Sequence, residues 1–272
     1  MIGQENLLKK IQQQIEEGTF PHFCIITGAE GSGKKTLVKE IHKMFGEGTL
    51  VSFETGISEV REAIKRSYEV SGEKLFIMLA DADKMSTEAK NALLKVAEEP
   101  PNDAYIIMTF CDLSNALDTL KSRATIYIME NYSSEEIDRY YKQIAKEETL
   151  EEHNIIIDIC ETPGEVDLMR EQKTLEFYDY VELCVDNIGE VTDANSFKIA
   201  EKLSLKADAD GYDLKMFFKV FMSICIKRMH ENPLKYAAGT STTSKYLKQL
   251  GIRGVNKQML LDAWILEMRE VW

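Results

Sequence analysis

The sequence predicts an α/β protein, with a parallel, doubly wound sheet in the first half and helices alone thereafter. Three observations carry this. Five short apolar runs alternate with helical patterns, a glycine-rich loop follows the first run directly, and the strand-like runs stop after residue 130. The candidate strands are FCIITG (23–28), TLVSFE (49–54), LFIMLAD (75–81), AYIIMTF (104–110) and ATIYIME (124–130). Each is nearly continuous in apolar residues and rich in branched side chains, as strands covered on both faces are. Helical stretches such as KKTLVKEIHKMFG and STEAKNALLKVAEE separate them, and strands alternating with helices make a parallel sheet.

Past residue 130, NYSSEEIDRYYKQIAKEE places Ser133 three residues before Glu136, a capping box that starts a helix. Pro163 and Gly164 then separate two short helices in IIIDICETPGEVDLM. Longer amphipathic patterns follow: LEFYDYVELCVDNIG, SFKIAEKLSLK, DLKMFFKVFMSICIKRMHE and NKQMLLDAWILEMREVW. The polar segment GTSTTSKY (239–246) reads as a loop or helix start among them. The expected organisation is a sheet domain over 1–130, a small helical module over 131–172 and a separate all-helical domain over 173–272.

Composition narrows the function classes. No apolar run approaches the ~18 residues of a membrane span, and the first helix is amphipathic and lacks the apolar core of a signal peptide. The expectation is a cytoplasmic protein with no membrane partner. A net charge of −13, from 46 acidic and 33 basic residues, weakens non-specific attraction to phosphate backbones. Cys24, Cys111, Cys160, Cys184 and Cys225 are far apart with no C-x-x-C pair. The cysteines therefore predict reduced thiols, with neither a zinc site nor a disulfide framework.

The loop GAEGSGKKTL, residues 28–37, matches G-x-x-x-x-G-K-[ST] at Gly28, Gly33 and Lys34 and departs from it at Lys35. Its place between a strand and a helix is the one a phosphate-binding loop requires. Gly28, Gly31 and Gly33 let backbone N–H groups approach phosphates at a helix N-terminus, with Lys34 reaching the outer phosphates and Thr36 closing the loop. Position 35 ordinarily supplies a hydroxyl to Mg²⁺, whereas an ammonium has no lone pair and repels the ion. Thr36 is no simple substitute, because one residue along a helix turns a side chain by about 100°. The residues thus predict a loop able to hold ATP or ADP weakly, with poor support for magnesium.

The run DADKMSTEAKNALLKVAEEPP, with IGQENLLKKI at the start, PHFCIITGAEGSGK around the loop and ALDTLKSRA at 116–124, resembles bacterial DNA polymerase III clamp-loader subunits of the AAA+ class, the delta-prime type in particular. The resemblance covers about the first 130 residues by motif and the rest by helical pattern alone. It implies an AAA+ P-loop domain, a helical lid domain and a helical collar that joins subunits into a ring. With Lys84, Met85 and Asn91 to Lys95 as anchors, the family's metal-binding aspartate and its neighbouring glutamate fall on Ala80 and Asp81. Sliding by one makes Asp81 the metal ligand and leaves Ala82 at the base position. Neither register leaves an intact site, and Asp81 is what remains of it.

LDTLKSRAT puts Ser122 and Arg123 where the family carries a Ser-Arg-Cys motif, with Ala124 and Asp118 in place of the usual cysteine and proline. The resemblance implies that Arg123 projects into a neighbouring subunit's nucleotide site. It also implies the partners: motor ATPase subunits, the delta subunit, and, through the complex, the sliding clamp and primed DNA. The four-cysteine zinc module of many relatives is missing, and ETPGEVDL lacks the second sensor arginine; Arg170 lies a little beyond. The implied role is a polymerase-holoenzyme subunit that loads the clamp and hydrolyses little or no ATP itself. The alternative is an active AAA+ ATPase, either a motor subunit of the clamp loader or a related DNA-remodelling ATPase.

Weaker features remain. DADGYD (208–213) has the alternating carboxylates of a calcium loop without its distal glutamate, and reads as a turn. His22 reads as a packing residue. Arg61 and Lys65 share a helix face that either meets solvent or touches nucleic-acid phosphates. Trp264, Ile265, Met268 and Trp272 read first as core and second as a subunit contact.

Overall fold

The computed structural model describes residues 1–69, 72–145, 149–205, 211–252 and 254–272, and the chain divides into two compact units. The first comprises Met1–Gln143 with Glu161–Gly164, the second Ile144–Cys160 with Glu165–Trp272.

In the first unit, α1 (Glu5–Glu16), β1 (Phe23–Thr27), α2 (Lys34–Phe45), β2 (Thr49–Phe53), α3 (Ile57–Glu69), β3 (Leu75–Leu79), α4 (Thr87–Ala92), α5 (Leu94–Glu98), β4 (Ala104–Phe110), α6 (Asp118–Lys121), β5 (Thr125–Ile128) and α7 (Ser134–Ile144) follow in order. The five strands form one parallel sheet in the order β2-β3-β4-β1-β5. Every residue of β1, β3 and β4 is buried, which explains their unbroken apolar runs; the edge strands β2 and β5 are only partly covered.

The two sheet faces are read at period two. Phe23, Ile25, Ile77, Ile106, Met108 and Phe110 join a core with Val60, Ala89 and Leu93. The alternate residues Cys24, Ile26, Phe76, Met78 and Ile107 pack with Ile11, Leu37, Val38 and Ile41. Because β1 lies between β4 and β5 while the chain leaves it for the far edge, its carboxyl end opens at a switch of strand order. Such crevices bind ligands in open α/β sheets.

The predicted capping box is present. The Glu136 carboxylate accepts from Ser133 N–H at 2.8 Å, and Ser133 Oγ accepts from Glu136 N–H at 3.3 Å. His22 is a packing residue, stacked 4.5 Å from the Tyr105 ring and hydrogen-bonded to Ala104 O. Arg61 is paired with Glu88 and Lys65 with Glu69, all exposed.

The second unit contains α8 (Leu150–Ile159), most of α9 (Pro163–Glu171), α10 (Thr174–Asn187), α11 (Asp193–Lys202), α12 (Leu214–Lys227), α13 (Pro233–Leu250) and α14 (Lys257–Val271), with a two-residue parallel pairing of Leu203–Ser204 and Tyr212–Asp213. Pro163 and Gly164 do not merely separate helices; they open α9, where proline's fixed φ and missing N–H are tolerated. Phe217, Phe218 and Phe221 of α12 surround Trp264 of α14, which is fully buried together with Met268. Trp264 and its neighbours are therefore intramolecular core.

GTSTTSKY is not a loop. It lies inside α13, with Gly239, Thr242, Thr243 and Tyr246 turned inward. Its small residues make room for two indoles: a Cβ at Gly239 would lie 2.5 Å from the Trp272 ring, and Thr243 Oγ1 accepts from Trp264 Nε1 at 3.1 Å. Of DADGYD, Asp208 to Asp210 lie outside the described residues, while Asp213 accepts from Met216 N–H and caps α12. Among the described residues no helix is long and apolar enough to cross a membrane.

Candidate phosphate-binding site

The glycine loop joins the carboxyl end of β1 to the N-terminus of α2. Gly31 (φ 75°) and Gly33 (φ 90°) both adopt the left-handed backbone that lets successive N–H groups face one side. Two segments, the one after β5 and the start of α9, brace the loop. A Cβ at Gly28 would lie 2.8 Å from Met129 Cβ, Tyr132 donates its hydroxyl to Ser32 O at 2.6 Å, and Gly164 N–H donates to Gly31 O at 2.9 Å. The segment after β5 is itself held by Gln4, whose side-chain amide both donates to and accepts from the Glu130 backbone.

Lys34 is buried, and its ammonium turns into the loop, donating to Gly28 O at 2.9 Å and Ala29 O at 2.7 Å. Lys35 points elsewhere. Its ammonium lies 2.8 Å from Asp81 Oδ2, and the two side chains are 53% and 36% exposed. The structure thus joins the two sequence departures, 46 residues apart, in one ion pair. Thr36 is exposed on α2, beside Gly33.

Asp81 follows β3 in the left-handed region at φ 55°. Its N–H donates to Thr109 Oγ1 at 3.0 Å. Thr109 is fully buried near the end of β4, and sequence reasoning missed it; a lone hydroxyl in the apolar run AYIIMTF was the available signal. Also missed was Asp83, whose carboxylate accepts from Cys111 N–H (2.7 Å), Asp112 N–H (3.0 Å) and Asn115 Nδ2 (3.2 Å) and so shapes the turn after β4. Burial pushes the Cys111 thiol up from its ordinary value, partly offset by the Lys34 ammonium.

These residues do not fit a magnesium ion. A dication 4 Å from the Lys35 ammonium would meet a repulsion of about 2 kcal/mol in bulk water and about 8 kcal/mol at an effective dielectric of 20. The carboxylate that would hold the ion is already occupied by that ammonium. The glycine cradle, with Lys34 turned into it, is of the kind that accommodates a nucleotide's phosphates, while Lys35 faces Asp81 beside it. Among the described residues no group of three or more His, Cys, Asp or Glu is placed to hold a metal.

Arg123 lies outside this constellation. Its Nε donates to Glu98 Oε1 at 2.8 Å, a second guanidinium nitrogen lies 2.5 Å from the same oxygen, and a third contact runs to Thr119 O at 2.7 Å. The guanidinium is thereby folded against the last residue of α5. Arg170 is exposed on α9.

A family model described as DNA polymerase III, delta subunit, matches residues 46–133. The replication factor C small subunit of Methanoculleus marisnigri is 28% identical over 162 residues, covering 55% of this chain and 50% of that protein. The DNA polymerase III subunit gamma of Buchnera aphidicola subsp. Schizaphis graminum is 25% identical over 175 residues, covering 54% and 48%. The chain spans about half the length of these curated relatives. Among solved structures, a DNA polymerase III gamma subunit-related protein of Thermotoga maritima superposes with a TM-score of 0.54 at 17% identity, covering 97% of this chain and 99% of the other. The RuvB Holliday junction branch migration motor of the same organism gives 0.50 at 15%, covering 98% and 88%. At such identities the likeness is one of fold: a five-stranded parallel sheet carrying the glycine loop, with helices after it.

Proposed function

We propose, from the premise that the chain is a clamp-loader protein of the AAA+ class, that it is the delta-prime-type subunit of its assembly. In this reading it is a stator that hydrolyses little or no ATP itself and offers Arg123 to a neighbouring motor subunit. Its partners are the motor and delta subunits and, through the complex, the sliding clamp and primed DNA. The observation that carries the reading is the Lys35–Asp81 ion pair. A motor subunit needs an oxygen donor at each of those positions to hold Mg²⁺ against the phosphates; here a cation and a carboxylate satisfy each other.

The chemistry left to such a subunit is electrostatic. A guanidinium supplied in trans stabilises charge on the transferring phosphoryl group, worth about 10³ to 10⁵ in rate. Arg123 is a side chain for that role because its restraint is weak: an ion pair with Glu98, whose side chain is 51% exposed, costs little to open. An active motor subunit is the other reading within the same family. The intact glycine cradle and Lys34 favour it, and Lys35 with Ala80 oppose it.

Two measurements test the proposal. The purified chain is expected to show no Mg-dependent ATP turnover above background; robust turnover abolished by Lys34→Ala would overturn the stator reading. In a reconstituted loader, Arg123→Ala is expected to lower the neighbour's turnover by about 10³-fold or more while leaving this chain's melting temperature unchanged. Unaltered turnover removes Arg123 from the role.

A further inference from the structure

The disagreement between this loop and a magnesium ion has a positive side. We propose that the loop takes the phosphates of a nucleotide with no divalent cation, the Lys35 ammonium standing in for the ion's charge. The inference rests on reading the loop as a nucleotide cradle, and it is independent of which subunit the chain is.

A serine or threonine at position 35 touches phosphate only through a metal, whereas lysine carries its own charge on a four-carbon stem. In this structure that charge faces Asp81 at 2.8 Å, with the Lys35 side chain more than half exposed. A solvent-exposed ion pair contributes little net stability, so the ammonium is free to exchange one carboxylate for a phosphate group of higher charge. The cradle it would turn toward is built: two left-handed glycines, the 12-residue helix α2 behind them, and a buried Lys34 already turned into the loop. A nucleotide entering with Mg²⁺ brings a dication to a position already holding an ammonium; entering without it, the phosphates meet two lysines and the helix N-terminus.

The sign of the metal effect is therefore inverted relative to an ordinary phosphate loop. Calorimetric titration of the full chain with ADP, ATP and inorganic pyrophosphate, each in EDTA and in excess MgCl₂, reads it directly. The expected result is binding in EDTA at least as tight as in magnesium, weakened about tenfold or more by Lys35→Ala, the fold-change of one charge-assisted hydrogen bond. Asp81→Asn, which removes the competing carboxylate, is expected to tighten binding in EDTA. Because Lys35 is on the surface, its variant should keep the wild-type melting temperature, which is measured alongside. The pyrophosphate arm separates a nucleotide from a bare polyphosphate, and metal-independent binding of either supports the inference. Binding that requires magnesium, or that Lys35→Ala leaves unchanged, overturns it. So does no binding in either buffer, which leaves the stator reading standing; Mg-dependent turnover is the result that would remove that reading.

Discussion

Gly164 offers a quantitative test of how the phosphate loop is held. A Cβ at this position would lie 2.6 Å from Gly31 Cα and 3.1 Å from Gly31 O, whereas carbon atoms in contact rest at about 3.5–4.0 Å. The obstacle is backbone, so Gly164→Ala must move one segment by roughly 1 Å and with it break the 2.9 Å bond from Gly164 N–H to Gly31 O. Overpacking costs about 1–3 kcal/mol and the lost hydrogen bond about 0.5–1.5 kcal/mol. Against these, alanine in place of glycine in a helix returns up to about 1 kcal/mol, less at the second residue of α9. The net is a destabilisation of about 2.5 kcal/mol at mid-range (about 0.5–4.5 across the extremes), which in a chain of this size lowers the melting temperature by roughly 5–10 °C. Gly251→Ala is the matched control, since its φ is ordinary and its nearest neighbour, Lys248 O, is 3.5 Å from the added carbon. Thermal unfolding of both variants, with amide exchange at residue 164, makes the comparison. If Gly164→Ala melts at the wild-type temperature and residue 164 keeps its exchange protection, the close approach to Gly31 is wrong.

Other perturbations test the remaining parts of the structure. Trp264→Phe removes the indole N–H that the buried Thr243 hydroxyl accepts, leaving that hydroxyl only its 4.0 Å contact with Met268 Sδ, and is expected to cost about 1–3 kcal/mol; adding Thr243→Val should recover part of that loss in denaturant unfolding, and strict additivity would contradict the pairing. Glu98→Ala releases the Arg123 guanidinium from its carboxylate, with a stability change under about 1 kcal/mol; in a reconstituted loader it should leave the neighbour's turnover equal or higher, and a fall comparable to Arg123→Ala would mean that Glu98 is needed to present the arginine. Alkylation followed by mass spectrometry should mark Cys111 first, since it is exposed while Cys24, Cys160, Cys184 and Cys225 are buried. Although its side chain reaches solvent, partial desolvation by the surrounding loop holds its thiol above the ordinary value, offset in part by Lys34, so at neutral pH the protonated form dominates and labelling should accelerate about tenfold per pH unit. Burial pushes Cys184 up to about 11 and Cys225 up to about 12, so early reaction there would place those helices wrongly.

The sheet was legible because its signal is local. All five strands fall inside the apolar runs, as buried parallel strands advertise themselves by composition. GTSTTSKY misled for the opposite reason: small polar residues ordinarily mark a loop, but here they are the side of a helix that two tryptophans fill, and only tertiary contact reveals that. The site was legible in its parts. Lys35, Ala80 and Asp81 each announced a departure from the motif, yet sequence alone described what was lost; that Lys35 and Asp81 meet belongs to the fold of β3 beside the loop. Thr109 and Gly164 carry no motif of their own, and their meaning comes from Asp81 and Gly31, residues distant in the chain.

Asp81 shows that the altered site is organised and has not collapsed. A non-glycine residue at φ 55° is strained, and aspartate is among the few that tolerate it. It is retained here by two long-range contacts, its N–H on the buried Thr109 hydroxyl and its carboxylate on Lys35. Losing metal chemistry would by itself let this turn relax to an ordinary conformation, since no ion would then require the carboxylate to face the loop. The strain persists because the carboxylate still has a charge to face. Lys35 thus places a positive charge where the Asp81 carboxylate faces the loop, and the pair holds this turn in its left-handed conformation. A Lys35→Ala chain should accordingly show faster exchange of the Asp81 amide, and full protection there would mean that Thr109 alone holds the turn.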